Sequence, residues 1–362
     1  MKTSTSKRLR WNIAIWLAAG LFMTSAAGMA AGPIMPDPKA EARHQPQVEE
    51  TANGIPLVNI TAPSSGGVSR NEYETFNVPD KGAILNNSYT LSKTELAGYV
   101  QGNNNMAERP AKIIVNEVTG AGSTSMDGFL EVAGNRADVV IANPNGITVN
   151  GGGFINTGKA FLTTGKPVYD GEDHLQRFDI TGGDILIEGK GLGGKETGSL
   201  AILSRAVKIN AGIWAKDLHI TTGANTVDAK TLEASAIEGK GERPAFALDT
   251  AAIGGMYAGR ITLVGTEKGL GVNNSGTWSA EDNLTLDWNG DLKNSGTIYS
   301  KGNADLRASR LENDKTIAAE RNLSAAAKEN IHNQGKLLAG ENMGIYAGKT
   351  LDNAGHAMES RN

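Results

Sequence analysis

The sequence VNNSGTWSAEDNLTL (272–286) is repeated, with variations, along the last quarter of the chain. The related stretches are LKNSGTIYSKGNADL (292–306), LENDKTIAAERNLSA (311–325), IHNQGKLLAGENMGI (331–345) and the partial copy LDNAG (351–355). A period of about 20 residues is typical of one supersecondary unit stacked on copies of itself. Residues 272–362 are therefore predicted to form a solenoid, which is more often a scaffold or binding surface than a pocketed enzyme.

Aligning the copies places like residues in columns. One apolar column contains Val272, Leu292, Leu311, Ile331 and Leu351. Two residues later, an asparagine column contains Asn274, Asn294, Asn313, Asn333 and Asn353. Apolar residues alternate with others within each copy, which is the period of a β-strand, and no leucine-rich-repeat frame recurs. We predict a parallel β-helix in which the asparagines form hydrogen-bonding ladders between coils.

The composition fits a thin, stacked core. The chain has 362 residues with 46 glycines, 5% aromatic residues and no cysteine. Corners between short strands favour glycine, and a narrow interior needs few large rings. The lack of cysteine excludes disulfides, a thiolate metal site and a cysteine nucleophile.

The N-terminus has the pattern of an export signal. Four basic residues, at positions 2, 7, 8 and 10, precede the apolar stretch WNIAIWLAAGLFM (11–23) and the small residues SAAGMAAG (25–32). This pattern predicts a signal peptide over 1–30 with cleavage near Ala30 and export through Sec into the periplasm, although a membrane anchor is the alternative interpretation. Cleavage changes the net charge from −4 to −8, and a chain with this negative charge is poorly suited to bind nucleic acid. Residues 31–51, rich in proline and charge, are predicted to be an extended, mobile leader.

Three blocks of sequence resemble a known family, and the resemblance assigns residues 52–271 to one domain. They are NGIPLVNITAPSSGGVSRNEYETFNVPDKGAILNNS (53–88), EVTGAGSTSMDGFLEVAGNRADVVIANPNGITVNGGGFINTGKAFLTTGKP (117–167) and ALDTAAIGGMYAGRITLVGTEKGLGV (247–272). Together they resemble the N-terminal two-partner secretion domain of filamentous haemagglutinin-type exoproteins. The resemblance implies an all-β fold, a right-handed parallel β-helix with an N-terminal cap, followed by haemagglutinin-type repeats. It also implies a dedicated outer-membrane β-barrel transporter with periplasmic POTRA domains as partner.

Two motifs of that family can be placed in this sequence. The NPNGI motif is Asn143, Pro144, Asn145, Gly146 and Ile147, and the upstream Asn-Pro-Asn-Leu motif falls at Asn103, Asn104, Asn105 and Met106, where two positions differ. From the residues alone, Asn-Pro-Asn-Gly between two apolar runs predicts a tight turn. A structural turn and a direct contact with the transporter both remain open for these side chains.

Other motifs give weak support for chemistry. Gly189–Gly194 matches GxGxxG, but a strand-like segment follows it where a nucleotide site needs a helix. The five histidines show no spacing typical of a metal site, so neither a metal nor a small-molecule cofactor is predicted. A β-helical polysaccharide-degrading enzyme remains the enzymatic alternative, with only the carboxylates of Asp127, Asp138, Asp173 and Asp184 as candidates.

The sequence as a whole predicts a non-enzymatic exoprotein, secreted or on the surface of a Gram-negative cell. Its N-terminal domain is expected to direct export and to start the folding of an adhesin or haemagglutinin filament. The alternative is the N-terminal stalk of a contact-dependent growth-inhibition toxin. In either case a receptor on a host or neighbouring cell is a possible partner, and the repeats at 272–362 are expected to be a truncated part of a longer array.

Overall fold

The computed structural model describes residues 32–107, 109–354 and 357–360, so the predicted signal peptide and the cleavage position near Ala30 lie outside the described residues. The described part contains two 3-10 helices (Ala42–His44 and Asn104–Met106), 39 strands and no α-helix. None of its helices is long and apolar enough to cross a membrane. The all-β class is thereby confirmed.

The strands follow one another with short connections. From the N-terminus they are β1 (Ile34–Pro36), β2 (Gln47–Glu50), β3 (Pro56–Asn59), β4 (Val68–Phe76), β5 (Ala83–Asn87), β6 (Ser92–Thr94), β7 (Gly98–Val100), β8 (Ile113–Val118), β9 (Thr124–Met126), β10 (Phe129–Gly134), β11 (Ala137–Ala142), β12 (Ile147–Val149), β13 (Gly152–Ile155), β14 (Thr157–Thr163), β15 (Lys166–Tyr169), β16 (Leu175–Ile180), β17 (Asp184–Ile187), β18 (Leu192–Gly194), β19 (Ser199–Ser204) and β20 (Ala206–Ile209). They continue as β21 (Gly212–Thr222), β22 (Asn225–Asp228), β23 (Ala234–Ala236), β24 (Phe246–Thr250), β25 (Gly255–Gly265), β26 (Gly271–Asn274), β27 (Thr277–Ala280), β28 (Leu284–Trp288), β29 (Leu292–Asn294), β30 (Thr297–Ser300), β31 (Ala304–Ala308), β32 (Leu311–Asn313), β33 (Thr316–Ala319), β34 (Leu323–Ala327), β35 (Asn330–Asn333), β36 (Lys336–Ala339), β37 (Met343–Ala347), β38 (Thr350–Asn353) and β39 (Met358–Ser360).

Three parallel ladders form the faces of a β-helix. The first runs β3–β5–β10–β13–β18–β21–β25–β27–β30–β33–β36–β39. The second runs β4–β8–β11–β14–β19–β21–β25–β28–β31–β34–β37. The third runs β9–β12–β17–β20–β24–β26–β29–β32–β35–β38. Successive coils stack in parallel along all three faces, with β21 and β25 each long enough to take part in two of them, so the prediction of a parallel β-helix is confirmed.

The columns read from the repeats are strand pairings in the structure. Val272 pairs with Leu292, Leu292 with Leu311, and Leu311 with Ile331. Each of these four residues has only 1% of its surface exposed, and all four belong to one continuous hydrophobic core. Stacking like on like therefore fixes the register of each coil on the one before it.

One copy of the repeat is a residue shorter than the others. Asn294 and Asn313 are 19 residues apart, whereas the spacing from Asn274 to Asn294 is 20. Two residues connect β31 to β32, where three connect β28 to β29. The pairing of β28 with β31 continues without a register shift. A corner, and not a strand, absorbs the difference.

The prediction of an extended leader over 31–51 is wrong for most of that segment. β1 pairs antiparallel with β4, and β2 pairs antiparallel with β3. These strands cover the free edges of the first coil, which would otherwise expose unpaired backbone groups. The segment is therefore the N-terminal cap itself. Pro36 fits because it lies at the end of an edge strand, next to an irregularity in the register.

Two groups of strands leave the coil. β6 and β7 form a small hairpin, and β15, β16, β22 and β23 form a four-stranded antiparallel sheet. The second sheet packs Phe178, Ile180 and Val227 against the second face of the β-helix, in a separate apolar cluster. These excursions make the coils before residue 271 unequal in length, which hides their repeat in the sequence.

Candidate functional site

The NPNGI motif forms the corner between β11 and β12. The side chain of Asn143 is fully buried, and its Nδ2 donates to the carbonyl oxygen of Gly122 (2.9 Å) and to Thr124 Oγ1 (3.0 Å). Its Oδ1 accepts the backbone N–H of Asn145 at 2.9 Å, which closes an Asx turn. Asn143 thus ties this corner to the corner of the preceding coil.

The remaining residues of the motif divide between the surface and the core. Asn145 is exposed, and its Nδ2 donates to the carbonyl oxygen of Gly120 at 2.8 Å. Gly146 has φ +110, a conformation that a residue with a Cβ rarely adopts. Ile147 is buried in the main core, and Pro144 is exposed. In the folded domain, only Pro144 and Asn145 of this motif present side chains to a partner.

The upstream motif repeats the same arrangement at a different place. Asn103 is buried, and its Nδ2 donates to the carbonyl oxygens of Ile60 and Asn86, both at 2.9 Å. Its Oδ1 accepts the backbone N–H of Asn105 at 3.0 Å and so begins the 3-10 helix Asn104–Met106. Met106 is 1% exposed in the core. The two motifs therefore share the pattern Asn-x-Asn, in which the first asparagine holds the turn. Asn104, at the middle position, is exposed.

The asparagine column of the tail is a continuous chain of side-chain hydrogen bonds. Asn274 Nδ2 donates to Asn294 Oδ1 at 2.8 Å, and the same bond follows from Asn294 to Asn313 (2.7 Å). Asn313 donates to Asn333 and Asn333 to Asn353, both at 2.7 Å. Because the first four of these side chains have no exposed surface, each unpaired amide would carry a desolvation cost of about 1–3 kcal/mol.

Comparison with known proteins shows the family to which this chain belongs. Residues 33–298 match the TPS secretion domain, and residues 289–356 match the haemagglutinin repeat. The chain belongs to the TPS secretion domain family. The family match begins in the segment that forms the cap and covers the capped coils and both Asn-x-Asn motifs.

A solved structure and curated relatives agree with this assignment. The crystal structure of the filamentous hemagglutinin secretion domain superposes with a TM-score of 0.66 and 30% identity, covering 87% of this chain and 99% of that one. The relatives include the toxin CdiA of Yersinia pestis (42% identity over 75% of this chain and 9% of the relative) and a tRNA nuclease CdiA of Yersinia mollaretii (40% over 88% and 11%). The chain thus spans about a tenth of the length of these relatives.

Buried asparagines inside the strands of the secretion domain were missed by the sequence reasoning. Asn71 and Asn116 are fully buried partners on neighbouring strands. Asn71 Nδ2 donates to the carbonyl oxygen of Val115 (3.2 Å), and Asn116 Nδ2 donates to that of Val140 (3.1 Å). The signal available was an asparagine within an apolar strand, as in IIVNEV, and no regular spacing accompanied it.

A buried charged cluster holds the cap of the secretion domain in place. His44 Nδ1 lies 3.0 Å from a carboxylate oxygen of Glu72, which also contacts Arg70 at 2.8 Å. Arg70 lies 3.5 Å from Glu117, whose pKa is raised because its carboxyl is buried. Arg43 binds Asp173 at 2.9 Å. The predicted leader is therefore anchored to the coil and to the turn between β15 and β16.

Two of the four candidate carboxylates for enzymatic chemistry make structural contacts. Asp138 accepts the backbone N–H of Lys159 at 2.7 Å, and burial raises its pKa. Asp173 is engaged by Arg43, and the GxGxxG match at Gly189–Gly194 runs into strand β18. Within residues 32–107, 109–354 and 357–360, no cluster of three or more His, Cys, Asp or Glu side chains is arranged to hold a metal ion. The matched region is thus a secretion domain by family and by fold.

His219 on β21 predicts a specific acid sensitivity. Burial lowers the pKa of His219 from 6.5 to about 4. Because the unfolded chain binds the proton more readily, the contribution of His219 to stability is complete above pH 6.5 and is lost as pH falls towards 4. The free energy of unfolding should fall between pH 7.5 and pH 4.5 in the parent, and we expect this fall to be about 2 kcal/mol smaller in His219→Gln. Urea titrations at both pH values measure it, and an equal loss in both proteins would contradict the prediction.

Proposed function

We propose that this chain is the secretion segment of a larger exoprotein, released by a Gram-negative cell through a dedicated outer-membrane transporter. The observation that carries the proposal is the TPS secretion domain match over residues 33–298, followed directly by haemagglutinin repeats. The likeness to the filamentous hemagglutinin secretion domain supports the same role. Entry to the periplasm through Sec, with cleavage near Ala30, and reception by POTRA domains of the transporter belong to this proposal.

The coil arrangement supports a mechanism of export. The cap strands β1 and β2 pair with β4 and β3 and cover the first coil, so folding can begin once the chain is available as far as Phe76, the last residue of β4. Each later coil buries apolar columns on the one before it, which releases free energy at each step. Stacking outside the cell would therefore draw the chain outwards without a nucleotide.

The test is secretion of residues 1–362 from cells with and without the cognate transporter gene. We expect at least a tenfold higher amount in the medium when the transporter is present, with the chain held in the periplasm when it is absent. A soluble periplasmic marker protein serves as the control for leakage. Equal release in both strains would overturn the proposal.

The role of the whole exoprotein is a second question with two candidate answers. An adhesin or haemagglutinin filament agrees with the haemagglutinin repeats. The stalk of a contact-dependent growth-inhibition toxin agrees with the relatives, whose names include toxin CdiA and tRNA nuclease CdiA. Each would use a receptor on a host or neighbouring cell, and we propose that residues 1–362 themselves catalyse no reaction. A growth competition between cells that carry and lack the full gene separates the candidates, because only a toxin inhibits the neighbour.

A further inference from the structure

The outer surface of the β-helix carries an aromatic platform on its first face. Trp214 on β21 pairs in register with Tyr257 on β25, and both side chains point outwards. Their ring centroids are 6.1 Å apart, with planes 17° from parallel. Tyr257 is 39% exposed and Trp214 is half-buried. Two stacked aromatic rings on neighbouring coils are thus partly exposed to solvent.

Glycines beneath the rings make this arrangement possible. A Cβ on Gly212 would lie 2.5 Å from Cη2 of Trp214, and a Cβ on Gly255 would lie 2.9 Å from Cε2 of Tyr257. The rings therefore occupy the space that side chains two positions earlier in the strand would fill. Resting on backbone, they lose little freedom when a ligand binds against them.

The platform lies in an open groove with an excess of positive charge. The groove crosses six successive coils, which is roughly 24 Å at the spacing of parallel strands. Five cationic side chains line it, against three anionic ones, although the whole chain has a net charge of −4. The cationic residues are Lys195, Lys216, Arg260, Lys301 and Arg321.

Some of the charged side chains in the groove form ion pairs, and others do not. Arg260 binds both carboxylate oxygens of Asp217, at 2.6 and 3.0 Å, and Lys301 pairs with Glu281. Lys195 and Lys216 form no ion pair within the described part of the chain. Two cations beside the aromatic platform are therefore available to a ligand.

We propose that this groove binds an acidic oligosaccharide, with sugar rings against Trp214 and Tyr257 and sugar carboxylates near Lys195 and Lys216. The C–H groups on one face of a pyranose carry partial positive charge and suit the negative face of an aromatic ring. Hydroxyl groups suit the fixed Arg260–Asp217 pair, which offers donors and acceptors at the groove wall. An extended, negatively charged chain of several sugars fits the length of the groove and complements its positive charge better than a compact ligand does.

This site goes beyond export, and its test needs no transporter. The chain without residues 1–30, expressed in the cytoplasm and purified, is titrated with tetragalacturonate as the acidic probe and maltotetraose as the neutral probe of equal length. Binding is measured by calorimetry and by tryptophan fluorescence. Trp214 is the reporter because Trp278 and Trp288 are fully buried.

We expect tetragalacturonate to bind at least tenfold more tightly than maltotetraose and to change the fluorescence. Tyr257→Ala should weaken binding about tenfold, and Lys216→Ala several-fold. Both residues are exposed, so we expect the fold to tolerate the two substitutions. Trp214→Phe should keep the heat of binding and lose the fluorescence change. Tyr346→Ala, at an exposed tyrosine in the tail, is the matched control and should bind as the parent does.

Three results would overturn the proposal. They are no heat of binding at millimolar tetragalacturonate, an affinity that Tyr257→Ala and Lys216→Ala leave unchanged, and equal affinity for the neutral probe. Circular dichroism of each variant confirms that the fold is retained before binding is compared. Failure of secretion in the transporter experiment would leave this test unaffected.

Discussion

Asn143→Asp is expected to reduce transporter-dependent secretion at least tenfold, whereas Asn145→Asp is expected to reduce it less than threefold. The reason is the burial of the Asn143 side chain, whose Nδ2 donates to Gly122 and Thr124. An aspartate there removes both donors and places a carboxylate against a carbonyl oxygen, which costs about 3 kcal/mol at pH 7. Asn145 is exposed, so its replacement remains hydrated.

The same pair of variants separates the two interpretations of NPNGI. If the motif acts by holding the corner, the purified Asn143→Asp domain should be less stable than the parent at pH 7 and should recover partly at pH 4, because a protonated aspartate again donates a hydrogen bond. Urea unfolding at both pH values measures this. If Asn145→Asp blocked secretion while the domain stayed fully stable, the exposed face of the motif would be a contact for the transporter.

Trp278→Ala is expected to destabilise the coils around β27 by about 3–5 kcal/mol, since it removes one of the two largest fully buried side chains of the core. The variant also leaves Thr250 Oγ1 without the donor Trp278 Nε1, now at 3.0 Å. Trp214→Ala is the matched control. Its half-buried ring lies outside the core, and we expect a cost of about 1 kcal/mol.

The position of the damage is also predicted. In a solenoid each coil contacts only its neighbours, so the loss should be local and should divide the chain at the affected coil. Limited proteolysis is expected to cut Trp278→Ala near β27 and to leave the capped N-terminal coils intact. Uniform digestion of the whole chain, at the rate of the parent, would contradict this prediction.

The sequence was sufficient for the tail because each coil there repeats the previous one. The column from Val272 to Ile331 is a strand-pairing register, and the column from Asn274 to Asn333 is a chain of side-chain hydrogen bonds. The turn at Asn143–Gly146 was also predictable, since Asx side chains and glycine act locally. In both cases the information lies within a few residues or recurs at a fixed interval.

Residues 31–51 were mispredicted as an extended, mobile leader because their contacts are distant in sequence. β1 pairs Ile34 with Phe76, and Arg43 reaches Asp173, so neither contact leaves a local pattern. Proline and charge in a short segment have the composition of a disordered leader, although they also suit edge strands. The aromatic platform was missed for a related reason. Trp214 and Tyr257 become neighbours only after the excursion between β21 and β25 is known.

The coil that is one residue short has a consequence for how such genes change. The corner after β31 accepts a connection one residue shorter while the flanking strands keep their pairing. Unequal recombination between neighbouring repeats would then add or remove whole coils and leave every remaining contact in register. The length of the repeat array would then be adjustable in steps of one strand spacing, independently of the secretion domain.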